Sequence, residues 1–545
     1  MTAPKTLAAF ALAAVTACGG GSSKDVQCES GQCDEETSYE LCAAIRGNGQ
    51  LITAHFASLA RITEHYGLID GSAGGSSASI TQFFAESVKM NPHVFDCGEA
   101  DCSEDQVRAR AALLFKSFPG YLQALTQTPE GIAIAELAPF VAQIQKAGID
   151  DLLEEDAEAA AQALDTLLSS SDIQELVNPE LLHLLQTSEH PEFHVADILA
   201  GLQKMANFDT EDVHIFLRPG LIEFETFGEK LGRAASMYAG YPPLDGEMMN
   251  AFLDGCAVPS LGKSWFETMS IDAGGGVSCG ELFGAMAIDY RESLLEDEAS
   301  FVSRIDESIG GHLAALVSTS VLTGDAAKTF ADARAAYLAG EPQTDIDIQW
   351  DDVRFGYWGS AADLARVASN PQGYDDDKTR KFLPLGNATW REALSYSPAE
   401  PGLARALELG DGTVSAGGWS DLHPTLVLKN MGCKKVVYVT RVGDDSGFSL
   451  GVARHFGLSD RDFENLYDLD NPESSYSLSI AEADAVWCTN WNDIAATDVL
   501  AVTLDSYNAA MESSDPFFTD GEEAYGKSAA DLGKRGCSVG APAAR

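Results

Sequence analysis

Apolar positions change their spacing several times between residues 39 and 90. Leu41 to Ile45 is a short apolar run that ends at Gly47-Asn48-Gly49. A run of that length closed by glycine predicts a buried strand. From Leu51 to His65, Leu51, Phe56, Leu59 and Ile62 fall at helical spacing, which predicts a helix. Leu68-Ile69 then predicts a second short strand. It leads into the small-residue turn Asp70-Gly71-Ser72-Ala73-Gly74-Gly75, with a second helix over about 76–90. Strand, glycine turn, helix, strand, serine turn, helix is the alternation of an α/β fold.

The pattern differs from about 95 to 390. Asp151 to Leu168 and Asp325 to Leu338 are rich in Ala and Leu and carry acidic outer faces, with no internal repeat. They predict a large helical insertion. Strand character returns in Lys435-Val436-Val437-Tyr438-Val439-Thr440. The tail, 446–545, mixes short helices and loops, with a late helix near Ala496 to Ala510, and reads as a C-terminal extension.

The N-terminus carries Lys5 and then an Ala-rich apolar stretch from Thr6 to Val15. It is too short to span a bilayer and reads as the core of an export signal. It closes on Val15-Thr16-Ala17-Cys18, before a Gly- and Ser-rich tract. That closure resembles a bacterial lipobox, which implies lipidation of Cys18 and anchoring in the cell envelope, at the outer membrane or cell surface. Residues 1–18 are then signal and lipobox, 19–38 a linker, and 39–445 the main domain. Eleven cysteines leave an even ten once Cys18 is set aside, as disulfides in an exported chain require. Cys28/Cys33, Cys97/Cys102 and Cys256/Cys279 are the local candidates; the connectivity is not fixed by sequence.

Charge narrows the partners. There are 83 acidic and 35 basic residues, a net charge of −48. This argues against nucleic acid, whose phosphates need clustered Lys and Arg. It also opposes long-range attraction to anionic bilayers.

The chemistry centres on serine. A serine hydroxyl becomes a nucleophile when a base takes its proton and dipoles hold the developing oxyanion. A sharp strand-to-helix turn exposes such a serine at a helix N-terminus. Ser72, among small residues, is the candidate nucleophile; Gly47, Asn48 and Gly49 are candidate oxyanion donors. Asp411-Gly412 opens another small-residue turn before a strand. Four segments in this order resemble a patatin-like phospholipase. They are Gly47-Asn48-Gly49-Gln50 with its helix, Asp70-Gly71-Ser72-Ala73-Gly74, the Ala393 to Gly402 segment, and Asp411-Gly412-Thr413 with Gly417-Gly418, His423-Pro424 and Lys435 to Thr440. The resemblance implies a three-layer α/β/α sandwich. It implies a Ser72–Asp411 dyad acting on acyl esters of phospholipids or other lipids, without metal or cofactor. Asp70, Asn48 and Thr413 depart from the family pattern, and a non-catalytic lipoprotein that binds lipid or a partner protein is the alternative.

Gly276-Val277-Ser278-Cys279-Gly280 and Gly447-Phe448-Ser449-Leu450-Gly451 match G-x-S-x-G outright. Cys279 reads as a disulfide residue, and after Ser449 only His455 remains to complete a triad in the order Ser, acid, His. Asp254-Gly255 competes with Asp411. His190 and His194, with Pro191 between them, read as surface residues. Asp468, Asp470, Asn471 and Glu473 lack the glycine of a calcium loop. They and Asp375-Asp376-Asp377 read as solvated loops.

Overall fold

The structure is a computed structural model. It describes residues 38–47, 52–98, 101–125, 171–189, 194, 220, 222–240, 245–296, 303–339, 352–370, 382–399, 404, 407–410, 412–418, 424–442, 481–490, 511 and 515–518. All lie within one unit, Ser38–Arg545.

Strand β1 (Tyr39–Ile45) stands mid-sheet, flanked by β2 (Gly71–Gly75) and β10 (Cys433–Val442), both parallel to it. Beyond β2 come β5 (Ala314–Leu322), β6 (Val353–Trp358) and β7 (Phe382–Gly386). Beyond β10 come β11 (Ala485–Asn490) and β12 (Asp515–Phe518). The order is β12-β11-β10-β1-β2-β5-β6-β7; the β11-to-β5 block is parallel, and β6 and β12 run against their neighbours β5 and β11. A hairpin of β8 (Leu407–Glu408) and β9 (Val414–Ser415) leans on the end of β5, and β3 (Asp272–Gly274) with β4 (Val277–Ser278) forms a separate ribbon.

Parallel strands need crossovers, and helices supply them. Helix α1 (Thr53–Tyr66) joins β1 to β2, and α2 (Ser77–Met90) leaves β2. Leu41, Ala43 and Ile45 enter the main core with Phe56, Phe84 and Phe118, the last from α3 (Glu104–Leu125). Phe56 and Phe118 stack with centroids 3.5 Å apart. Cys42 points to the other face. There a Cβ on Gly71 would lie 2.9 Å from the Cys42 Sγ and 3.1 Å from Met431 Cε. Met431 belongs to α4 (Thr425–Met431), so helices cover both faces. Both faces being buried, β1 carries no apolar–polar alternation.

Two boundaries change. The expected helical insertion over 95–390 contains β5, β6 and β7, three strands of the main sheet, beside helices such as Gly324–Leu338. The extension after 446 contributes β11 and β12 to the same sheet. The late helix near 496–510 and the Asp151 to Leu168 segment lie outside the described residues. Among the described residues, no helix is long and apolar enough to cross a membrane.

Candidate active site

Ser72 is not at a turn. It lies inside β2, opposite Ala43 of β1 and Ala315 of β5, and is fully buried. Its hydroxyl donates to Gln82 Oε1 at 3.1 Å, and Gln82 Nε2 donates to the Gly74 carbonyl at 2.9 Å. Ser72 therefore ties β2 to α2. The small residues around it serve packing. A Cβ on Gly74 would lie 2.6 Å from Ala78 Cβ, and one on Gly75 would lie 2.7 Å from the Gly418 carbonyl oxygen. Asp70 works at the opposite end of the strand, where its carboxylate accepts the N–H groups of Glu40 and Leu41.

The sharp turn falls four residues later. Ser76 has φ 55° and ψ −130°, and among the described residues it is the only non-glycine with positive φ. Such a backbone costs on the order of 1–3 kcal/mol and persists where its surroundings over-determine it. Ser76 stands between the end of β2 and the first turn of α2, the strand-to-helix geometry that holds a nucleophilic serine. Its N–H donates to Ser397 Oγ at 2.9 Å, and its carbonyl accepts the Ser79 N–H at 2.9 Å. Backbone N–H groups of a first helical turn point out of the N-terminus, where an oxyanion beside Ser76 would form.

The glycine loop after β1 reaches the same place. A Cβ on Gly47 would lie 3.0 Å from the Gly75 carbonyl oxygen and 3.3 Å from Ser76 Cβ. Gly47 thus meets Ser76, not Ser72; Asn48 and Gly49 lie outside the described residues. Gly418 closes the other side, since a Cβ there would fall 2.7 Å from Gly75 C and closer still to Ser76 N. These contacts sit at the carboxyl ends of β1 and β2, where open α/β sheets place their sites.

Asp411 and Cys18 lie outside the described residues. The neighbours of Asp411 are described: Leu409 N–H donates to the Thr413 carbonyl and closes the β8–β9 hairpin. In the ladder, Gly75 is opposite Ser318, whereas Val414 is opposite Leu322. Four residues of strand, roughly 13 Å, separate those levels, and the hairpin turns beyond Val414. From Val414, β9 runs back along β5 toward Ser76 and arrives with Gly417-Gly418.

The rivals resolve structurally. Ser278 Oγ donates to Glu281 Oε2 at 2.8 Å and accepts the Glu281 N–H, so Ser278 caps the helix Cys279–Glu296. Cys279 is bonded to Cys256 and Cys97 to Cys102, as the spacing suggested; Cys42–Cys433 was not foreseen. Asp254 pairs with Arg110. Ser449, Cys28, Cys33, His190 and the acidic runs at 375–377 and 468–473 lie outside the described residues. Among the described residues, no three His, Cys, Asp or Glu side chains are grouped to hold a metal.

The signal for Ser76 is present in Gly74-Gly75-Ser76-Ser77-Ala78. It has the G-x-S-x-G spacing with alanine at the last position, and a helix starts at once. Comparison of the chain with protein-family models, with curated proteins and with solved structures gave no match.

Proposed function

We propose that this protein is a serine acyl hydrolase of patatin type, cleaving acyl esters of phospholipids or related lipids, with Ser76 as nucleophile. The observation that carries the reading is the strained Ser76 at the turn from β2 into α2, with Gly47 packed against it. Ser76 Oγ attacks the ester carbonyl while its proton passes to a base. Collapse of the tetrahedral intermediate breaks the C–O bond and releases the alcohol, which takes up that proton. Water then hydrolyses the acyl-Ser76 ester and returns the hydroxyl. The glycine loop from Gly47 and the first turn of α2 supply oxyanion donors. Asp411 remains the base that the family resemblance implies. Lipidation at Cys18 would hold the enzyme on the cell envelope beside its lipid substrate.

One observation favours a second reading, a lipoprotein that binds lipid or a partner protein without turnover. It is the sheet ladder, where Val414 of the β8–β9 hairpin stands opposite Leu322, four residues along β5 from the level of Gly75.

A fluorophosphonate probe separates the two. The hydrolase reading expects the label on Ser76, lost in Ser76→Ala and kept in Ser72→Ala. It expects loss of turnover in Asp411→Asn if that carboxylate is the base. An unlabelled, folded wild-type chain selects the binding reading.

A further inference from the structure

The strain at Ser76 needs a restraint, and one side chain supplies it. Ser397 is fully buried just after the helix Trp390–Tyr396. Its Oγ accepts the Ser76 N–H at 2.9 Å and donates to the Ser318 carbonyl at 2.7 Å. Its own carbonyl accepts the Gly418 N–H at 2.6 Å. One residue thus joins the turn, the middle of β5 and the Gly418 backbone that packs on Gly75. Ser397 is also held from its own side, because its N–H donates to the Ala393 carbonyl at 2.9 Å.

We infer that Ser397 is the positioning residue for the nucleophile, an inference that rests on Ser76 being that nucleophile. A positive-φ serine returns to ordinary backbone unless it is restrained. The Ser397 hydroxyl fixes the peptide that precedes Ser76 and so sets the direction in which Oγ leaves the backbone. It also engages the Ser76 N–H. The oxyanion donors are then the groups on either side, the first turn of α2 and the Gly47 loop, and not the amide of the nucleophile itself. A displacement of the nucleophile by about 1 Å can cost on the order of a hundredfold in rate.

The test compares Ser397→Ala and Ser397→Cys with wild type in the full chain. Cysteine fills the space, but its sulfur accepts an N–H weakly. Both variants are expected to lower the rate of fluorophosphonate labelling at Ser76 and kcat on a short-chain nitrophenyl ester roughly ten- to a hundredfold, with KM within about twofold. Ser395→Ala removes a hydroxyl from the same helix that donates only to the Arg391 carbonyl, and is expected to label at the wild-type rate. Should Ser397→Ala fail to fold, Ser397→Cys decides. Wild-type labelling and kcat in a folded Ser397 variant overturn the inference while leaving Ser76 as nucleophile. A wild-type chain that takes no label at Ser76 removes the functional reading and this inference with it.

Discussion

Glycine has two uses in a chain, and around Ser76 they are easily confused. A run such as Asp70 to Gly75 reads as a turn because glycine relieves backbone strain. In β2 the glycines are there for space: Gly71 meets Cys42 and Met431, Gly74 meets Ile45 and Ala78, and Gly75 meets Gly418. The residue that bears the strain is a serine, and no propensity marks it. This is why a strand-to-helix turn was legible in the sequence while the residue that makes it, Ser76, stands four residues beyond Ser72. Two substitutions separate these uses. Gly418→Ala puts a methyl group into the backbone of Gly75 and Ser76. It is expected to cost about 1–3 kcal/mol by overpacking and to abolish labelling. Gly284, inside the helix Cys279–Glu296, has open space around it. Gly284→Ala is expected to stabilise by up to about 1 kcal/mol through helix propensity with labelling unchanged. Thermal or denaturant unfolding beside probe labelling measures both. A stable, labelled Gly418→Ala would contradict the packing argument.

Elements with a simple apolar rhythm were legible, and those with a mixed one were not. The apolar run in β1, the helical spacing of α1 and the Val-rich stretch in β10 each stand where the sequence put them. Strand β5 escaped because Ala314 to Leu322 interrupts its apolar residues with Ser318, Thr319 and Ser320, on a chain otherwise rich in alanine helices. One of those hydroxyls ties β5 to β9: Thr319 Oγ1 meets Ser415 Oγ at 2.7 Å. Long-range pairings of this kind leave no local pattern. Tyr39 gives a second example, since it joins the start of β1 to the helix Ala361–Ser369 by donating to Asp363 Oδ1 at 2.8 Å. Burial, and then the Asp363 charge and hydrogen bond, push the Tyr39 phenol up to about 12 from its usual 10.0. Its folded pKa is the higher one, so the folded state keeps the proton that the unfolded state releases. The stability contributed by this phenol is full below pH 10 and is lost as pH rises through about 12. Tyr39→Phe is expected to cost about 1 kcal/mol near neutrality. The gap between the two proteins should close across that alkaline window. A gap that stays constant or widens would contradict the linkage.

At the scale of the whole molecule, the centre of the sheet is built from segments far apart in the chain. β1 and β10 are neighbours in space, and Cys42–Cys433 joins them across a sequence separation of 391. Short cysteine spacings were the local candidates, and among the described residues two of the three bonds obey them; the third is invisible to spacing because a strand pairing creates it. The same pairing explains why segments expected as a helical insertion and as an extension join one sheet, since β5 to β7 and β11 extend a sheet whose middle is fixed by β1 and β10. A net charge of −48 works against compaction of such a chain, so a covalent tie between distant segments has a large unfolded ensemble to restrict. Both sulfurs are buried, Cys42 fully and Cys433 nearly so, which shields the bond from reductant while the sheet is closed. Replacing the pair, as Cys42→Ala with Cys433→Ala, is expected to lower the unfolding free energy by roughly 2–5 kcal/mol. The variant should still reach the native sheet, because neither sulfur touches Ser76 or Ser397. Denaturant unfolding with and without the bond reads the loss, and probe labelling at Ser76 reads the site. A larger fall in labelling than in folded fraction would mean that the bond shapes the turn itself. Equal unfolding curves would mean that the β1–β10 pairing holds these distant segments together without it.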